Sequence, residues 1–203
     1  MNFQEYSAYF ENIFGKTEHQ APYDNPDYLS YTKLNWSRMN RWFKTGRLSD
    51  ELLAAVDKID TPQHWIVITE PWCGDAAHNI PFIEMIASHN PLVSVSYELR
   101  DTAPFLIDQY LTNNTKSIPK LIIRNAEGRD LGTWGPRPEA CQELYANLLR
   151  EKAPFERVKE EIQRWYNANN GVDIQNELTQ LITQGLKTTA QNVIPGGQSG
   201  TTH

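Results

Sequence analysis

The sequence predicts an α/β fold, a three-layer α/β/α sandwich with extra helices at both ends. Three observations predict it. A short β-branched run at 64–69, an apolar-faced helix from Ala76 to Ser88 and a second apolar run at 92–99 make a βαβ pattern. Two further strands, at 120–124 and 130–134, are separated by the turn Asn125-Ala126-Glu127-Gly128 and read as a hairpin. On both sides of this block, apolar residues recur at helical spacing.

Taken in order, Phe3, Tyr6, Phe10, Ile13 and Phe14 mark a first helix. After the break from Pro22 to Pro26, a second runs over about 27–44 with Tyr28, Tyr31, Leu34, Trp36, Met39, Trp42 and Phe43. Aromatic stripes of this kind usually bury against a sheet, so they are expected in the core. Ser49 caps a third helix, with Glu51 in its first turn and Leu52, Leu53, Val56 and Ile59 on its apolar face. No convincing strand precedes it. The segment from Asp101 to Leu111 is expected to be a crossover helix with Pro104 in its first turn. A helix from Glu139 carries Leu144, Leu148 and Leu149, and Pro154 starts or kinks another through Trp165 and Tyr166. Asn169-Asn170-Gly171 is a helix stop, and Ile174, Leu178, Leu181 and Ile182 share one face of a last helix over 173–186. The tail 195–200 is flexible by composition. This divides the chain into an aromatic helical extension (1–47), an α/β domain (48–150), and a C-terminal helical extension with its tail (151–203).

The most informative run is Thr69-Glu70-Pro71-Trp72-Cys73-Gly74-Asp75-Ala76, which sets one cysteine after a strand and at the head of a helix. Unpaired N–H groups and the positive end of the helix dipole favour a thiolate there. Glu70 and Asp75 flank the sulfur, and carboxylates oppose that effect. A helix terminus supplies roughly 0.3–1 kcal/mol at an exposed site and about 2 kcal/mol in partly buried geometry. One unit of thiol pKa corresponds to about 1.4 kcal/mol, so the net sign stays open at the level of sequence.

At these residues the chain resembles the thioredoxin superfamily, whose active site is Trp-Cys-Gly-x-Cys at a helix start after a central strand. Members carry a proline eight positions after the first cysteine, where Pro81 stands. They carry an apolar-cis-Pro step into the next strand, matched by Ile118-Pro119, and a glycine after the hairpin, matched by Gly135. The resemblance covers roughly residues 48 to 150 and implies a thioredoxin-like fold. It implies Cys73 as the attacking residue, with Trp72, Gly74, Asp75, Ile118, Pro119 and Gly135 lining the substrate groove. It also implies a cis bond at Pro119, an isomer found in only about 5% of X-Pro bonds.

Two departures restrict what the resemblance carries. Ala76 replaces the second, resolving cysteine, so a dithiol cycle cannot run. Val67 stands where the family keeps a buried acid, six positions before the attacking cysteine.

The 203 residues carry 19 basic and 25 acidic side chains, a net charge of −6. The basic residues form no block, which argues against nucleic acid and anionic membranes as partners. No apolar run reaches the roughly 18 residues of a membrane span. The polar start Met1-Asn2-Phe3-Gln4-Glu5 reads as neither signal nor lipidation sequence, so a cytoplasmic location is expected. Two cysteines are too few for a disulfide framework or a structural zinc site, and no cofactor or metal is expected. Asp75 has two readings of equal weight, as a partner of the helix dipole and as a functional group. His78 lies about 140° around the helix from Cys73 and is expected in solvent. Cys141 is expected to be a small buried side chain that does not bridge to Cys73.

Three functions fit these residues. The first is monothiol thiol–disulfide exchange through Cys73, acting on a disulfide-containing protein or a small-thiol disulfide, with an external resolving thiol. The second is a redox-silent binding module that captures an extended segment beside the Pro119 loop. The third is an iron–sulfur cluster shared across a dimer, for which no glutathione-binding signature is visible. Oligomeric state is not encoded in any motif.

Overall fold

The computed structural model describes residues 1–192. Its elements run α1 (Phe3–Gly15), α2 (Pro26–Thr45), α3 (Asp50–Val56), β1 (Gln63–Thr69), α4 (Gly74–His89), β2 (Val93–Leu99), β3 (Lys120–Asn125), β4 (Asp130–Trp134), α5 (Glu139–Arg150), α6 (Phe155–Asn169) and α7 (Val172–Asn192). The strands form one sheet in the order β2-β1-β3-β4. The β1–β2 pair is parallel, and β1–β3 and β3–β4 are antiparallel. β1 is therefore central. Its successive residues Trp65, Ile66, Val67 and Ile68 point to alternate faces, yet all are buried, so helices cover both faces. This is the α/β sandwich that the βαβ unit and hairpin predict.

Local chemistry accounts for the helix starts. Asn2 and Glu5 form a reciprocal capping box at α1. Asn25 accepts from Asp27 N ahead of Pro26 at α2, and Ser49 Oγ accepts from Leu52 N at α3. Asn170 (φ 54°) and Gly171 (φ 77°) adopt the left-handed conformation that ends α6 and turns the chain into α7.

Both terminal regions feed the central core. Tyr6, Phe10, Met39 and Trp42 from α1 and α2, and Ile174, Leu178 and Ile182 from α7, join the cluster built on β1 and α4. α2 lies along α4, while α7 packs on β4 and α3. α5 pairs instead with α6 and buries only Cys141 and Leu148. Among the described residues no strand precedes β1, and α1 packs by β2.

Three expectations are corrected. The crossover helix over 101–111 is absent: the segment is turns with one short 3-10 stretch, Leu106–Gln109. Phe105 has φ 56°, which no right-handed helix accommodates, and of its apolar residues only Ile107 is buried. The aromatic stripe of α2 is only partly core, since Tyr28 and Leu34 are exposed. His78 is buried, not solvated, because α2 covers that side of α4: Trp42 Nε1 donates to His78 Nδ1 at 2.9 Å. The tail at 195–200 lies outside the described residues.

Candidate functional site

The motif loop leaves the end of central β1 and is fixed at each step. Cys73 N donates to Glu70 O at 3.0 Å, and Asn35 Nδ2, reaching over from α2, donates to Pro71 O at 3.1 Å. Trp72 is half-buried, with the Arg100 guanidinium 4.6 Å over its ring and Tyr28 edge-on at 6.3 Å. A side chain at Gly74 would collide with the Tyr31 hydroxyl, so α2 also roofs the residue after the cysteine.

Cys73 is the N-cap of α4, and its sulfur accepts from Ala76 N at 3.4 Å. The thiol donates to Ile118 O at 3.3 Å. The Ile118–Pro119 bond is cis. Opposite it, Gly135 (φ 112°) stands where any Cβ would strike Pro119 O, so the hairpin exit packs directly on the proline loop. Cys73, the Ile118–Pro119 step and Gly135, far apart in sequence, thus stand together in space.

The electrostatics settle what the sequence left open. Cys73 is only 7% exposed, and burial pushes its thiol up to about 12, with the Asp75 charge adding to the rise. Ala76 N–H and Arg137 oppose the shift without overcoming it. The flanking Glu70 carboxyl is itself raised to about 6, chiefly by burial.

Asp75 sits in a polar assembly that sequence reasoning missed apart from Asp75 itself. Arg137 grips its carboxylate with two bonds, Nε to Oδ1 at 2.9 Å and Nη2 to Oδ2 at 2.6 Å. Tyr166 Oη donates to Oδ1 at 2.9 Å and accepts from Asn79 Nδ2 at 3.0 Å. The Tyr166 ring stacks on His78 at 4.2 Å, and burial drives the imidazole down to about 3. Arg137 lies between two prolines just after Gly135, a signal that could have marked it; nothing local distinguishes Tyr166. Both cysteines are free thiols, and Cys141 is fully buried. Among the described residues, no group of three His, Cys, Asp or Glu side chains could hold a metal ion, and no helix is long and apolar enough to cross a membrane.

A helix-capping cysteine facing an X-cis-Pro loop, on a four-stranded sheet of this order, defines a thioredoxin-like protein. The chain belongs to the thioredoxin family, whose profile, described as Thioredoxin, matches residues 22–153. No curated protein matches the chain. Among solved structures it is similar to an HIV epitope-scaffold, at 15% identity and TM-score 0.54 over 90% of this chain and 98% of the other. It is also similar to a protein of unknown function from Pseudomonas aeruginosa, at 15% identity and TM-score 0.51 over 95% and 93%. At that identity the likeness concerns the fold alone.

Proposed function

We propose that this protein is a slow, partner-dependent thiol–disulfide exchanger of the monothiol type, with Cys73 of the Trp-Cys-Gly-Asp-Ala motif as nucleophile. The observation that carries the reading is the placement of the Cys73 sulfur between the α4 N-terminus and the Ile118 carbonyl, beside Pro119. An extended segment carrying a disulfide, laid along the Ile118 backbone, would bring its sulfur to that point. Cys73 loses its proton and attacks one sulfur, and the other leaves as a thiolate that takes up a proton. With alanine at 76, the mixed disulfide waits for an external small thiol. That thiol releases the reduced substrate and stays joined to Cys73, and a second equivalent regenerates Cys73 as the two small thiols leave oxidised to a disulfide. Docking that exposes the buried thiol would select substrates, so general reductase activity is not expected.

The burial of that thiol favours a second reading, a redox-silent module whose groove beside Pro119 binds a peptide segment without chemistry. Two variants separate the readings. Under exchange, Cys73→Ser abolishes reduction of a protein disulfide. Ala76→Cys raises turnover and reduces its dependence on added small thiol. An Ala76→Cys protein that forms its internal bridge yet reduces no protein disulfide would leave the binding module as the better account.

A further inference from the structure

We propose that the Asp75–Arg137–Tyr166 assembly is a positioning device that fixes a carboxylate beside Cys73 at the head of α4, so that its charge adds to burial in holding the thiol hydrogen on the Ile118 carbonyl. The inference deepens the exchange reading, on which its functional meaning rests, but its test reads thiol acidity rather than exchange.

The geometry makes Asp75 an immobile charge. It lies two residues past Cys73 in the first turn of α4, and its side chain is only 11% exposed. Two bonds from Arg137 and one from Tyr166 prevent the carboxylate from swinging into solvent. Arg137 is fixed in turn by Gln142 Oε1 at 3.1 Å and by the Tyr145 ring 4.1 Å beneath it. The α4 terminus would otherwise favour a thiolate, but its field is answered by this carboxylate instead.

Other groups face the pair. Tyr6 from α1 and Arg100 after β2 lie by Cys73, and Arg38 from α2 lies by Asp75. Among the charges, that of Asp75 makes the largest contribution to the raised thiol, ahead of the opposing Arg137.

The protonated thiol has a second consequence. It donates to Ile118 O, the backbone acceptor next to Pro119, and a thiolate could not. Ionisation of Cys73 therefore also frees that acceptor for a peptide N–H. At rest the site hydrogen-bonds to itself.

The test uses the full chain with Asp75→Asn, which removes the charge while Oδ1 still accepts from Tyr166 and Arg137. Cys73 is alkylated with iodoacetamide between pH 6 and 10 and followed by mass of its peptide. The expected result is alkylation at pH 8 at least about threefold faster than wild type, the net of tenfold more thiolate for about one unit of acidity and the lower nucleophilicity of a less basic sulfur. A rate within twofold of wild type overturns the proposal. Should the variant not fold, Asp75→Ser is read in the same way: alkylation at pH 8 at least about threefold faster than wild type is expected, and a rate within twofold overturns the proposal. Exchange is scored separately. Faster alkylation without any exchange supports the positioning role and refutes the exchange reading, whereas unchanged alkylation with exchange intact overturns the role alone.

Discussion

Unfolding should activate Cys73 rather than silence it. A free thiol near 8.5 is about 3% thiolate at pH 7. With the folded thiol pushed up to about 12, the fraction falls to about 10⁻⁵, a loss of roughly three-thousandfold. A more basic thiolate is a better nucleophile, and a Brønsted slope of about 0.4–0.5 returns roughly fortyfold. Native Cys73 should therefore alkylate about a hundredfold more slowly at pH 7 than the same residue in urea, before any steric shielding. The assay is iodoacetamide modification of the Cys73 peptide, native against urea-unfolded, across pH 6–10. The unfolded rate should level off near pH 8.5, while the native rate should still climb about tenfold per pH unit at pH 10. A native rate that plateaus below pH 9, or comes within threefold of the unfolded rate at pH 7, would refute the argument that burial governs this thiol.

Two stability predictions accompany it. Burial raises the Glu70 carboxyl to about 6, so its neutral form is the one the fold favours, and its contribution is lost as pH rises through that value. Glu70→Gln should therefore raise stability at pH 8 by up to about 2 kcal/mol and do little at pH 4.5, read from urea midpoints; an equal gain at both values would exclude the charge as cause. Gly171 (φ 77°) has the buried Phe82 ring where a Cβ would go. Gly171→Ala should cost about 1–2 kcal/mol for the left-handed backbone and about 1–3 for overpacking, lowering Tm by roughly 4–20 °C. Gly128→Ala, at φ 76° with open space around it, should show the backbone part alone, and equal losses at the two glycines would refute the packing argument.

What the sequence made legible was periodic or adjacent. The β-branched run at 64–69 and the hairpin turn at Gly128 fixed the sheet, and the head of α4 was marked by apolar residues on one side and Cys73 on the other. What it hid depended on packing between distant segments. His78 reads as a polar residue on an exposed turn, and only the arrival of Trp42 and Tyr166 buries it. The segment from Asp101 to Leu111 reads as a crossover helix, but the backbone turns left-handed at Phe105 and exposes that ring. The balance at Cys73 was unreadable because its largest influence is desolvation, which no local pattern encodes. Ile118 and Pro119 were found through the family resemblance, whereas Arg137 needed the fold to bring it 62 positions back to Asp75.

The distance along the chain between Asp75 and its partner Tyr166 has a bearing on biosynthesis. The two are 91 residues apart, and α7, which covers β4, comes later still. A ribosome adding about 5–20 residues per second needs roughly 5–18 s to pass from one to the other. Through that interval the nascent motif lacks the Tyr166 bond to Asp75 and the final layer of the sandwich. The thiol is thus most open to alkylation, oxidation or capture by another cysteine before the protein is finished, and completing translation is what shields it.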